Sequence, residues 1–294
     1  LRIETDVETT LSPGQFAQLL RNLAKDSLHA ATLLALADGL DDVGASQQLG
    51  LESGGLSYWV AAVRECLEEA GLLFDQHMFE PQRRALEDRY RVIAYDHRGQ
   101  GDSAPAAGGY DMDTLTEDAV DLIRSTQSAP CHFIGLSMGG FVGMRLAARY
   151  PELVRSLTLL NTSARPDPWI KRVRFRAMQA FVSVFGPGPL VTQVLPVMFG
   201  HSFRNDPSRR AELERWIHHV QSLPRRIVGP VGGVIGRASV LDELKYIRCP
   251  TLVLVGDEDR TTPPAEAARI ANQIQGARLV TLQGCGHSSA IEAP

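Results

Sequence analysis

The most constraining feature of this sequence is a serine flanked by glycines, in the run Gly135-Leu136-Ser137-Met138-Gly139. A strand-like run precedes it at residues 131–134, and a helix-like run follows at residues 141–149. Strand, G-x-S-x-G and helix in this order predict a tight turn that lifts a nucleophilic serine hydroxyl above a sheet. Gly135 and Gly139 are expected where any side chain would collide with neighbouring backbone. Met138 then begins the helix, so its free backbone N–H is available to stabilise an oxyanion.

An acid and a histidine follow two later predicted strands. Residues 249–256 form a buried strand-like run that is followed by Asp257, Glu258 and Asp259, and residues 277–282 form another that leads to His287. The carboxyl ends of parallel strands meet at one edge of an open α/β sheet, where such sheets bind ligands. The chain order of serine, acid and histidine is that of the α/β-hydrolase fold. We therefore predict a catalytic triad of Ser137, one of the three acids at residues 257–259, and His287.

From residue 78 onward, the chain resembles the α/β-hydrolase superfamily in three further motifs. Residues 91–103 look like its fourth strand and the loop that follows, residues 256–259 match its G-x-x-D acid turn, and residues 286–292 look like its histidine loop. The resemblance implies a mostly parallel sheet in a domain spanning residues 77–294. It also implies a helical cap at about residues 165–248.

The resemblance assigns the site residues and the chemistry as well. It implies that Asp259 is the acid, with Asp257 and Glu258 as solvated neighbours. Ser137 would attack the carbonyl of a small ester or lactone, His287 would take its proton, and no metal or organic cofactor is implied. Residues 161–165 are similar to those of enol-lactonases and of the esterase and cofactor-free haloperoxidase group.

The same sequence features fit several alternatives. The same triad serves a C–C bond hydrolase or a perhydrolase. A non-catalytic ligand sensor is the second alternative, because no His-Gly dipeptide precedes Ser137 to supply the second oxyanion donor. Residues 72–74 are expected to be a remnant of the strand before that loop. The missing loop and the two unusual chain ends also fit a fragment, a fusion or a rearranged product.

Residues 1–76 are predicted to form a separate helical segment. Residues 31–73 resemble a degenerate bacterial helix-turn-helix, with residues 56–67 as its recognition helix. The segment holds four basic and twelve acidic residues, a net charge of −8, so we expect it to repel DNA and to act through protein contacts instead. A homodimer through this segment is one such contact, and nucleic-acid binding is the less favoured alternative.

Composition gives little reason to expect large charged partners. The chain has 294 residues, 44% of them hydrophobic, and a net charge of −4. This size supports a large core, and the charge does not favour a nucleic acid or an anionic membrane. Four cysteines without C-x-x-C spacing indicate buried thiols in a reducing compartment. We therefore expect a cytoplasmic protein that acts on a small molecule.

Overall fold

The structure, a computed structural model, describes residues 65–69 and 71–294. Its strands form one sheet in the order β2-β1-β3-β4-β5-β6, and every neighbouring pair is parallel. The strands are β1 (Glu65–Glu69), β2 (Arg91–Tyr95), β3 (Cys131–Leu136), β4 (Val154–Leu160), β5 (Thr251–Gly256) and β6 (Arg278–Leu282). This arrangement confirms the predicted α/β fold class.

Helices connect the strands and cover both faces of the sheet. They are α1 (Glu80–Leu86), α2 (Met112–Ser125), α3 (Met138–Arg149), α4 (Trp169–Phe185), α5 (Val191–Met198), α6 (His201–Asn205), α7 (Arg210–Ser222), α8 (Val228–Gly236), α9 (Pro264–Gln273) and α10 (Ser289–Glu292). Alternate strand residues enter two separate apolar clusters: Leu67 and Phe133 pack with α2 and α3, whereas Cys66 and Ile134 pack on the opposite face. The sheet is therefore buried on both sides, as parallel sheets generally are.

The elements described between β4 and β5 are all helical, and we refer to α4–α8 as the cap. Hydrogen bonds attach the cap to the loops after β5 and β6. Thr261 donates its hydroxyl to the Val197 carbonyl at 2.7 Å, and the Ser288 N–H donates to the Met198 carbonyl at 3.0 Å. The end of α5 is thereby fixed to the two loops that carry the predicted acid and histidine.

Strand β1 corrects two predictions. Residues 65–67, predicted as the end of a recognition helix, belong to a strand, and the predicted remnant strand at residues 72–74 is a turn. Strand β1 pairs with both β2 and β3, so the sheet begins before the boundary predicted at residue 77. Burial between two partners determines this strand, although glutamates occupy three of its five positions.

The rest of the predicted helix-turn-helix, up to residue 64, lies outside the described residues. The hypotheses of a homodimer and of an acidic surface that repels DNA rest mainly on that part of the chain. Within residues 65–69 and 71–294, no helix combines the length and apolar character needed to cross a membrane.

Candidate active site

Ser137 lies at the junction between β3 and α3 in a strained backbone conformation. Its φ of 52° falls in the left-handed region, which a residue with a side chain seldom adopts. Two hydrogen bonds to the end of β4 maintain it: the Ser137 N–H donates to the Leu160 carbonyl at 2.9 Å, and the Thr162 hydroxyl donates to the Ser137 carbonyl at 2.8 Å. The turn therefore presents the serine side chain at the carboxyl edge of the sheet.

Close backbone approach explains the glycines of this turn. A Cβ atom on Gly135 would lie 2.4 Å from the carbonyl oxygen of Gly139, which is far inside van der Waals contact. A Cβ atom on Gly140 would lie 2.6 Å from Cβ of Thr162. The sequence predicted the first constraint, but it could not reveal the second, because Thr162 approaches from a different strand end.

Gly135→Ala is therefore expected to lower the free energy of unfolding. Overpacking against rigid backbone typically costs about 1–3 kcal/mol. Urea denaturation of both proteins measures the difference. Gly108→Ala is the matched control, since a Cβ atom there meets no other atom within 4 Å. Equal destabilisation by the two substitutions would contradict the proposed collision.

The structure brings the three predicted triad residues together. Ser137 Oγ lies 2.9 Å from His287 Nε2, and His287 Nδ1 lies 2.9 Å from Asp259 Oδ2. All three residues are buried, with exposures of 7%, 2% and 3% for Ser137, His287 and Asp259. An ionised carboxylate only accepts hydrogen bonds, so Nδ1 carries the proton. Nε2 of the neutral imidazole is then free to accept the serine proton.

Asp259 sits in a ring of hydrogen-bond donors. Its Oδ2 accepts from Asn161 Nδ2 and the Thr262 hydroxyl, and its Oδ1 accepts from the backbone N–H groups of Thr261 and Thr262. Burial alone would raise the pKa of this carboxyl. The positive charge that His287 carries when it is protonated, together with these hydrogen bonds, outweighs burial and lowers the pKa to about 2. Asp259 is therefore held as a carboxylate facing the imidazole.

The two neighbouring acids face elsewhere. Asp257 is exposed and accepts the Cys285 N–H at 3.2 Å, whereas Glu258 accepts from the hydroxyl and N–H of Ser202 in the cap. Neither carboxylate contacts His287, in keeping with the choice of Asp259.

Glu292 orders the loop that carries His287. Its carboxylate accepts the N–H groups of Gly286 and Ser288, the residues on either side of His287, at 2.9 and 3.0 Å. It also accepts the Gly200 N–H from the cap at 2.9 Å. In the sequence this glutamate is the last residue of the predicted histidine loop, and nothing there indicates a role for it. Only the structure shows that one side chain fixes both flanking amides.

The loop after β1 approaches the serine. A Cβ atom on Gly71 would lie 3.5 Å from Cβ of Ser137 and 2.8 Å from Cδ2 of Leu136. Among the residues described, none accepts a hydrogen bond from the N–H of Leu72, the next residue. The N–H of Met138 is likewise left over at the start of α3, as the first amides of a helix are. This loop could not be recognised from the sequence, because it lacks His-Gly and because β1 ends before the predicted remnant strand at residues 72–74 begins.

Other groups suited to metals or covalent chemistry are sparse in the part of the chain that the structure describes. No cluster of three or more His, Cys, Asp or Glu side chains has the geometry to hold a metal ion there. The four cysteines, all within the described residues, form no disulfide, and Cys66, Cys131 and Cys285 are buried. Burial raises the pKa of the Cys249 thiol to about 11, so this half-buried cysteine is a weak nucleophile near neutral pH.

Comparison with known proteins places the chain in one family. RutD from Caulobacter sp. strain K31, provisionally named a carbamate hydrolase, is 29% identical over 76% of this chain and 84% of its own length. A thermophilic esterase from Thermogutta terrifontis superposes with a TM-score of 0.71 at 31% identity, covering 78% of this chain and 84% of the esterase. The enol-lactonase from Burkholderia xenovorans LB400 superposes with a TM-score of 0.69 at 30% identity, covering 78% and 86%. Residues 56–294 match the Alpha/beta hydrolase family, and the chain belongs to that family.

Proposed function

We propose that this protein is a serine hydrolase that cleaves a small carboxylic ester or lactone through an acyl-enzyme. The observation that carries the proposal is the hydrogen-bonded series Ser137–His287–Asp259, with both contacts at 2.9 Å. A serine hydroxyl is a weak nucleophile unless a base accepts its proton. Here the base lies within hydrogen-bonding reach, and a buried carboxylate fixes its tautomer.

The geometry supports a two-step reaction. Ser137 Oγ attacks the substrate carbonyl carbon while His287 Nε2 takes the hydroxyl proton, and Asp259 stabilises the resulting imidazolium. His287 then protonates the leaving oxygen, and the acyl group remains on Ser137. In the second step His287 removes a proton from water, the hydroxide attacks the acyl carbon, and the proton returns to Ser137 Oγ.

Two backbone amides are the proposed oxyanion donors. The Met138 N–H belongs to the residue after the nucleophile, and the Leu72 N–H lies in the loop that packs against Ser137. Neither amide is used by another acceptor in the described structure. Preorganised donors of this kind typically contribute about 100- to 1000-fold each to kcat. The loop after β1 therefore offers a second oxyanion donor although the chain lacks the His-Gly dipeptide. This donor weakens the argument for a non-catalytic sensor.

The substrate class rests on the relatives and on burial. Among the proteins similar to this chain are an esterase, an enol-lactonase and RutD. A carbamate is the second candidate substrate, since its carbonyl can be attacked by the same serine. The deeply buried triad and the cap bound to its loops favour a small acyl group in each case.

A substrate panel tests the proposal directly. Turnover of p-nitrophenyl acetate, a five-membered lactone and a simple alkyl carbamate would be compared in the intact chain, with Ser137→Ala as the blank. Serine-dependent turnover of the ester or lactone supports the proposal, and preference for the carbamate favours the second candidate. Failure to turn over any of the three, with no labelling of Ser137 by a fluorophosphonate, contradicts both.

Acyl length should limit the rate. We expect kcat/KM for p-nitrophenyl butyrate to exceed that for the decanoate by roughly tenfold or more, because an enclosed pocket excludes chains that exceed its length. Steady-state kinetics in the same buffer and detergent provide the comparison. Equal or higher kcat/KM for the decanoate would indicate an open groove instead.

A further inference from the structure

Leu73 has a backbone conformation that its side chain disfavours. Its φ is +72°, and the Phe74 N–H closes a four-residue turn by donating to the Gly71 carbonyl at 3.4 Å. A positive φ at the third position of such a turn is the mark of type II, which normally has glycine there. Leucine has a Cβ atom and no polar group to compensate, so surrounding contacts must hold this turn.

Two side chains hold the peptide groups on either side of Leu73. The Leu73 N–H donates to Oε1 of Gln100 at 3.1 Å, from the loop after β2. The Leu73 carbonyl accepts from Nε2 of His219 at 3.1 Å, from helix α7 of the cap. Because a carbonyl only accepts, Nε2 of His219 must carry the hydrogen. The turn is thus fixed from the core on one side and from the cap on the other.

Aromatic packing fixes the His219 ring in turn. The ring stacks on Phe74 with centroids 6.1 Å apart and planes tilted by 16°, and Trp216 meets it edge-on at 5.5 Å. Phe74 follows Leu73 directly and is buried, and Trp216 is on the same helix as His219. The adjacent His218 is exposed and takes no part in this cluster. His219 therefore contacts the turn through both its ring face and its donor nitrogen.

We propose that His219 is a positioning residue for the oxyanion hole. Its hydrogen bond from the cap holds Leu73 in the left-handed conformation. The turn held in this way keeps the Leu72 N–H directed at the carbonyl oxygen of the substrate. The proposal rests on the proposed function, because it assigns His219 to the second oxyanion donor of that reaction. The oxyanion hole is then complete only when the cap is packed against this turn.

The test compares three variants of the full chain on p-nitrophenyl acetate. His219→Phe keeps an aromatic ring against Phe74 and Trp216 but removes the donor. It is expected to lower kcat about tenfold, less than the loss of a whole oxyanion donor, and to change KM less than about twofold. Adding Leu73→Gly should restore most of the lost kcat, because glycine adopts a positive φ without support. His218→Phe should leave both constants unchanged.

Two results would overturn the proposal. One is an unchanged kcat in His219→Phe, and the other is a loss that Leu73→Gly does not rescue, which would indicate a general structural role. A crystal structure of His219→Phe gives a readout independent of activity: Leu73 is expected to leave the positive φ region, and an unchanged turn also overturns the proposal. A wild-type protein without Ser137-dependent hydrolysis would defeat the proposed function, while the crystal structure would still decide whether His219 holds the turn.

Discussion

Ser137→Ala is expected to abolish ester hydrolysis, with a loss in kcat on the order of 10⁶-fold, the size seen when a serine hydrolase loses its nucleophile. The reason is that the acyl-enzyme of the proposed reaction forms on Ser137 Oγ. His287 and Asp259 remain in place, but without Oγ the imidazole has no hydroxyl to activate. Steady-state assays with p-nitrophenyl acetate, together with fluorophosphonate labelling, measure the effect.

Ser125→Ala is the matched control for this prediction. Ser125 is an exposed serine in the last turn of α2, and its hydroxyl donates only to the Leu122 carbonyl of the same helix. It should keep wild-type kcat and wild-type labelling. If Ser137→Ala retained more than about one thousandth of the wild-type rate, a nucleophile other than Ser137 would have to be sought.

Asp259→Asn is expected to lower kcat by about 10⁴-fold while leaving the fold intact, as removal of the charge does in other triads. An amide of the same shape can donate to Nδ1, which favours the tautomer with the proton on Nε2 and blocks acceptance of the serine proton. Asp257→Asn is the control, since that exposed neighbour does not contact His287. A larger loss in Asp257→Asn than in Asp259→Asn would reverse the assignment of the acid.

The same substitution has a consequence for acid stability. The folded-state pKa of Asp259 is about 2, below the usual value near 4, so the ionised carboxylate stabilises the folded protein above about pH 4. That contribution is lost as the pH falls from about 4 towards 2. Because asparagine does not ionise, urea unfolding of Asp259→Asn should depend less on pH across this interval than unfolding of the wild type does.

Local motifs explain why much of the candidate site could be predicted from sequence. Ser137 and Met138 belong to one five-residue turn, and Asp259 and His287 each follow a strand with a clear apolar run. In a parallel sheet these strand ends necessarily share one edge, so chain order and spacing were enough to bring the side chains together. The resemblance of residues 256–259 to the G-x-x-D turn of the family separated Asp259 from the adjacent acids.

Strand β1 could not be predicted because its signal is not local. Its sequence, Glu-Cys-Leu-Glu-Glu, lacks the apolar run of a central parallel strand, and Glu68 is buried all the same. Pairing with β2 and β3 determines the conformation, and a pattern read along the chain contains neither partner. The misplaced strand also hid the loop at Gly71 and Leu72, and with it the second proposed oxyanion donor.

The position of β1 limits where recombination can join this domain to a domain of another protein. Domain boundaries that tolerate recombination fall where few contacts cross, but β1 pairs with both β2 and β3 inside the sheet. A recombination junction placed between Phe74 and β2 would remove both β1 and the turn beside Ser137, and β2 would lose its neighbour in the sheet. A new N-terminal module can therefore be joined to this hydrolase only upstream of residue 65. Strand β1 and the turn after it must stay in the same polypeptide as the predicted triad.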